Sequence, residues 1–304
     1  MASNKLNLDY LKARKLALPA LDHIHLALIG CGGTGSWLAP AVTRYARLLI
    51  ELGKDVKVTF IDPDKVESKN IYRQNFCDAE IGLFKAETLA NRFGLAWGIP
   101  ITAMNVPFTA TTSLQSGGYT ETLTILIGCV DNTAARKEIA KQAQPYNARH
   151  IWWLDCGNKK MSGQVLLGRK RMEGEQPLTF QGLCTWLPLP SEQHPELVSE
   201  ETQPTEMDNE DDSHLSCAEL AMKGSQSLSI NFRIAAIAGE ILGKMLLTGD
   251  LETFAVYVDQ ATGEIRKYIT DKAIRAYLKK LKTSTKQIAP QNADNDLDDE
   301  DENE

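Results

Sequence analysis

Hydrophobic and polar positions change period twice between Leu26 and Asp62. Leu26-Ala27-Leu28-Ile29 is an unbroken apolar run, and a glycine-rich turn follows it. Leu38, Val42, Tyr45 and Leu49 then recur at the spacing of one helix face, and Val56 to Ile61 alternates toward Asp62. The pattern predicts strand, turn, helix, strand. Further along, Ile81 to Phe93 reads as a helix with Lys85 near its start, and Ile101 to Val106 as a third strand. Leu123 to Ile127 predicts a strand ending at Cys129-Val130-Asp131-Asn132, and Thr133 to Ala143 predicts a helix. Ile151 to Leu154, before Asp155-Cys156-Gly157-Asn158, and Gln164 to Leu167 read as two more strands.

Strands alternating with helices imply an α/β fold: a Rossmann-like, doubly wound, mostly parallel sheet with helices on both faces. A crossover loop at about 187–217 is too long for a plain connection. Ile230, Ile234, Ile237, Ile241 and Met245 predict a closing helix, and Phe254 to Val258 with Ile265 to Ile269 predict a C-terminal hairpin before a basic helix at 271–282. Residues 1–22 form an N-terminal arm in this reading, 23–282 one domain, and 283–304 an acidic tail expected to be disordered. Ligands of such sheets sit at the C-terminal strand ends, where Asp62 and Asp131 fall.

The charge is uneven. The net value is −7, but residues 290–304 carry eight acids and no base, which leaves the rest at +1. Residues 191–213 carry nine more acids without Lys or Arg, so the remaining body is basic and suits a polyanion. No basic run is interleaved with aromatics, which argues against nucleic acid. No apolar run reaches membrane-spanning length, and the first residues lack the apolar core of a secretory signal. Six cysteines without a C-x-x-C pair suit a cytoplasmic location and offer no zinc knuckle.

Candidate chemistry gathers around the glycine turn. Gly30, Gly32 and Gly35 fit G-x-G-x-x-G after a strand and at a helix start, a cradle in which backbone N–H groups and the helix dipole hold phosphate. Asp62, at the tip of the second strand, suits ribose hydroxyls. Arg73 offers a fork of donors to phosphate oxygens, Lys85 a point charge, and Asp131 a hard oxygen ligand for Mg²⁺. Each also has an ordinary reading: a surface cation for Arg73 and Lys85, a helix N-cap for Asp131. Together they fit a nucleoside triphosphate better than a dinucleotide. The glycine turn and Asp62 alone would also suit an NAD-dependent oxidoreductase.

The set Gly30-x-Gly32-Gly33-Thr34-Gly35, Asp62-x-Asp64, Asn70-x-x-Arg73-Gln74, Lys85 and Val130-Asp131-Asn132 resembles the ThiF/MoeB/HesA-type, ubiquitin-activating-enzyme-like adenylyltransferases. The similarity runs from about residue 20 to 250, so 23–282 would be a ThiF-type adenylation domain. Leu18 to His25 with Ile81-Gly82 most resembles the ThiF-like component of the bacterial PRTRC system. The resemblance implies ATP-dependent adenylation of the C-terminal glycine of a ubiquitin-like protein, or of a sulfur-carrier protein. It implies Asp62 on ribose, Asn70, Arg73 and Gln74 toward the β/γ-phosphates, Lys85 toward ribose and α-phosphate, and Asp131 on Mg²⁺. It further implies a homodimer, a conjugating enzyme as a partner, and Arg14 as a phosphate finger from a partner subunit.

Many relatives pass the acyl group to a thiol. Cys217, after the acidic loop, is the first candidate and Cys184 the second. Cys31 and Cys129 are expected to pack near the nucleotide or a strand end, and Cys77 and Cys156 to be structural. Relatives with a structural zinc carry two C-x-x-C pairs; here Gln181 stands where Cys184 would need a partner, so no structural zinc is expected.

Overall fold

A computed structural model describes residues 8–114, 121–144, 150–159, 161–199 and 228–287. The apolar run forms β1 (His23–Ile29), the glycine turn enters α1 (Gly33–Glu51), and the alternating stretch is β2 (Asp55–Ile61). Then come α2 (Lys85–Trp97), β3 (Thr102–Met104), β4 (Thr122–Gly128) and α3 (Thr133–Gln142). β5 (Ile151–Asn158) and β6 (Ser162–Gly168) precede α4 (Leu228–Gly243), β7 (Thr253–Asp259), β8 (Gly263–Tyr268) and α5 (Asp271–Gln287).

All eight strands share one sheet in the order β3-β2-β1-β4-β5-β6-β7-β8. The first five positions are parallel, and β5 through β8 pair antiparallel. This is the doubly wound α/β sheet expected, with its hairpin and closing helix. Alternation sorts the strands between two cores. Leu26, Leu28, Ile125, Ile127, Trp152 and Leu154 pack with α1, α2 and α4, while Ala27, Ile29, Leu126 and Trp153 pack with Ile139 of α3. β1 and β4 run parallel, but the order of strands reverses there, with β2 and β3 added on one side and β5 on the other, which opens a crevice at their C-terminal ends.

Several boundaries move for local reasons. α2 begins at Lys85 rather than Ile81, because Ile81 is extended and Gly82 has φ +88°. β5 continues through Asp155 to Asn158, expected to lie beyond the strand, because β6 pairs along that length. β3 spans only Thr102–Met104, and α5 runs past residue 282 to Gln287. The N-terminal arm is bonded into the body: Arg14 N–H donates to Ile269, Leu16 to Leu251 and Ala17 to Cys184. Residues 200–217 of the crossing segment, 218–227 after it and 288–304 of the tail lie outside the described residues. Among the described residues no helix is long and apolar enough to cross a membrane.

His25 is wholly buried in β1. Its Nδ1 lies 2.7 Å from the Leu114 carbonyl and must donate, so Nε2 accepts from Thr59 Oγ1 at 2.9 Å. Burial, helped by Lys57, pushes its pKa down to about 4. The unfolded chain then binds the extra proton first as pH falls below about 6.5, so stability drops from there down to the folded value. Urea unfolding at pH 7 and pH 4 is expected to show the wild type losing about 3 kcal/mol more than His25→Gln; equal losses would show that His25 is not the titrating group.

Candidate active site

The cradle depends on a close approach between the ends of β1 and α1. Gly30 has φ +87°, and its N–H donates to Ile61 at 2.9 Å. A Cβ on Gly35 would lie 1.9 Å from the Gly30 carbonyl oxygen, so only glycine fits there. α1 starts after Gly32 with no side-chain cap, which leaves its first-turn N–H groups without a side-chain acceptor where Gly33 and Thr34 line the crevice.

Around that turn lies a cavity of about 720 Å³, lined by Gly30, Gly32, Asp62, Lys85, Arg73 and Asp131 among others. The size suits a nucleotide. Asp62 is buried, and its two oxygens accept from the N–H groups of Cys31 (2.6 Å) and Asp64 (2.8 Å). Burial raises its pKa against those bonds. Each oxygen keeps a further lone pair for a ligand.

Lys85 is the first residue of α2 and is only 7 % exposed. A cation at a helix N-terminus opposes the dipole, and burial adds a desolvation cost. Its 2.9 Å ion pair with Asp64 offsets part of that cost. The turn that carries Asn70, Arg73 and Gln74 is bonded from within and without. Asn70 forms a capping box with Glu67, and its carbonyl accepts from the N–H groups of Arg73 and Gln74. Gln74 is buried, and its Oε1 has no partner among the described residues. The half-buried Arg73 guanidinium likewise has no ion pair among them. An amide oxygen and a guanidinium that lack protein partners among the described residues, on one cavity wall, suit a polar ligand.

Asp131 faces them from the end of β4. The cap of α3 is Asn132, whose side chain accepts from Ala135 N–H at 2.8 Å. The ordinary reading of Asp131 as N-cap therefore fails by one residue, and among the described residues its exposed carboxylate meets only the Asn132 amide, at 3.3 Å. No group of three metal-ligating side chains occurs among the described residues. One free carboxylate still fits Mg²⁺, which commonly takes one or two protein carboxylates and completes its shell with phosphate oxygens and water.

Comparison with protein families matches residues 5–218 to the ThiF family, more than half of the chain. The chain belongs to the ThiF family. Curated proteins give no match. Among solved structures, this ThiF-family chain is similar to Escherichia coli MccB, with 15% identity and TM-score 0.50 over 82% of this chain and 62% of that one. MccB with ATP gives 14% identity and TM-score 0.50, over 82% and 65%. PaaA gives 15% and 0.46, over 82% and 65%. The chain thus spans just under two thirds of these relatives, and at such identity the likeness shows the fold.

The structure brings Gly30, Gly32, Gly33, Asp62, Asp64, Asn70, Arg73, Gln74, Lys85 and Asp131 to one cavity, while Gly35 packs against the Gly30 carbonyl and does not line it. Cys217 lies outside the described residues. Cys184 does not suit the second place given to it. It is wholly buried, donates to the Trp186 carbonyl, and burial pushes its thiol up to about 11. Cys77, expected to be structural, is exposed, whereas Cys129 and Cys156 line the cavity. Arg14, expected as a phosphate finger for a partner subunit, instead makes a two-pronged ion pair with Asp271 and donates to the Gly182 carbonyl at 3.1 Å.

The sequence reading missed Asn75. Pro40 lies inside α1 and cannot donate to the Ser36 carbonyl. Asn75 Nδ2 supplies that bond at 3.1 Å, while its N–H donates to Ser36 Oγ at 2.9 Å. A proline four residues after Ser36 signalled a carbonyl in need of a donor, but nothing in the sequence named the donor. Gly35→Ala is expected to cost more than about 3 kcal/mol in urea unfolding. Asn132→Ala should cost about 1 kcal/mol as a lost cap, and Asp131→Ala less than about 0.5 kcal/mol. The reverse order for the last pair would reassign the cap.

Proposed function

We propose that this chain uses ATP to adenylate the C-terminal glycine carboxylate of a ubiquitin-like or sulfur-carrier protein. One observation carries the reading: a glycine cradle, the two cations Arg73 and Lys85, and the uncommitted acid Asp131 share one cavity. A dinucleotide site needs no such cations. Attack by a carboxylate on a phosphate sets two anions against each other, so catalysis requires charge neutralisation and alignment.

In this reading Asp62 holds the ribose, and Asn70, Arg73 and Gln74 bind the β/γ-phosphates. Lys85 moves from Asp64 to the α-phosphate side, where its ammonium offsets the charge that builds during attack. Asp131 would hold Mg²⁺ beside the phosphates, and the ion would supply further neutralisation there. The products are an acyl-adenylate and pyrophosphate. Transfer to Cys217 as a thioester, a homodimer, hand-over to a conjugating enzyme, and membership of the PRTRC-type branch belong to the same proposal.

The test is ATP–pyrophosphate exchange with a small carrier ending in glycine. Carrier-dependent exchange is expected, and Asp131→Ala should lower it at least about a hundredfold. Hydride transfer with NAD and no exchange would sink the reading. Cys217→Ala is expected to keep exchange and lose any reductant-sensitive carrier adduct; an undiminished adduct would remove Cys217 from the reaction.

A further inference from the structure

We infer that Asn231 and Trp37 are positioning residues that hold Arg73 in register with the triphosphate, through its backbone carbonyl. Neither belongs to the glycine turn or to the charged set. Asn231 lies in the first turns of α4, is wholly buried, and is far in sequence from everything it touches. Its Nδ2 donates to the Arg73 carbonyl at 3.3 Å. Trp37 Nε1, from the first turns of α1, donates to the same oxygen at 3.1 Å.

Both donors are themselves held. The Trp37 indole stacks on Phe232 with ring centroids 3.8 Å apart, which fixes where Nε1 points. Asn231 Oδ1 accepts from Asn158 Nδ2 at the end of β5 and from Thr34 Oγ1 at 3.5 Å. The orientation of this amide follows from its partners. A carbonyl accepts only, so the NH₂ group must face Arg73, and the oxygen then meets the Asn158 donor. One buried side chain thereby ties together the cradle helix, the end of β5 and the turn that carries Arg73. Asp at this position would keep the shape and lose the donor, setting an anionic oxygen against the Arg73 carbonyl.

The direction of the effect rests on the adenylation reading, in which the Arg73 guanidinium meets the outer phosphates. Loosening its backbone should then weaken ATP and spare AMP, which lacks those phosphates. A merely structural residue would weaken both alike. The experiment is equilibrium binding of ATP and of AMP, each with magnesium, to the full-length wild type, Asn231→Asp, Trp37→Phe, Arg73→Ala and Arg73→Ala/Asn231→Asp. Asn231→Asp is expected to weaken ATP about tenfold and AMP less than about twofold. Trp37→Phe, which keeps the stacked ring, should shift ATP in the same direction and tests the carbonyl without the amide. The double variant should bind ATP no more weakly than Arg73→Ala, because the effect passes through Arg73. Equal losses for ATP and AMP, additive losses in the double variant, or a wild type with no preference for ATP over AMP would overturn the link. A wild type that prefers ATP, shows the selective loss, and never releases pyrophosphate with any carrier would leave the link standing and remove the adenylation reading alone.

Discussion

The approach of the Gly30 carbonyl to the α-carbon of Gly35 is the constraint on which the crevice depends. At that spacing the first turn of α1 lies directly over the end of β1, and its N–H groups open into the space between β1 and β4. A single methyl at position 35 would push the helix off the strand. Asp62 ties the same turn to β2 through Cys31 N–H, and Cys129 N–H ties β4 to Ile29 at 2.7 Å. Three strand ends therefore meet at one backbone-lined corner, where anions are favoured without any side-chain charge.

The opposite wall is a turn rather than a regular element, and it is held by side chains from distant parts of the chain. Pro40 costs α1 one internal hydrogen bond, and the freed Ser36 carbonyl becomes the anchor for Asn75. Arg92 of α2 donates to the Asn75 carbonyl at 2.8 Å and forks onto Glu80. Trp37 and Asn231 converge on the next carbonyl in the turn but one, that of Arg73. A segment with little secondary structure of its own thus gains the order that presenting a cation requires.

Charge is distributed in the same spirit. Lys85 is buried against the dipole of its own helix, and Asp131 is left uncapped at a strand end while its neighbour Asn132 does the capping. Both arrangements cost stability or forgo it locally, and both set charge on the wall of the same cavity. Cys184 and Arg14 show the converse: each is drawn fully into bonds within the chain, the thiol to Trp186 and the guanidinium to Asp271.

The sequence by itself determined the sheet, the cradle and most of the charged set. Periodicity reports which face of a local element is buried, and G-x-G-x-x-G between strand and helix is a local geometric requirement, so both can be read within a short window. Asp62, Lys85 and Asp131 were legible because strand tips and helix starts place them at one sheet edge. What only the tertiary structure decided were the bonds between residues far apart: Asn75 on Ser36, Asn231 on Arg73, Arg14 on Asp271, and the burial of Cys184. None of these leaves a period or a spacing in the chain, because each depends on how separate elements pack and not on the conformation of either one. The one-residue choice between Asp131 and Asn132 as cap of α3 was of the same kind, since both residue types cap well and only the backbone path past β4 selects between them.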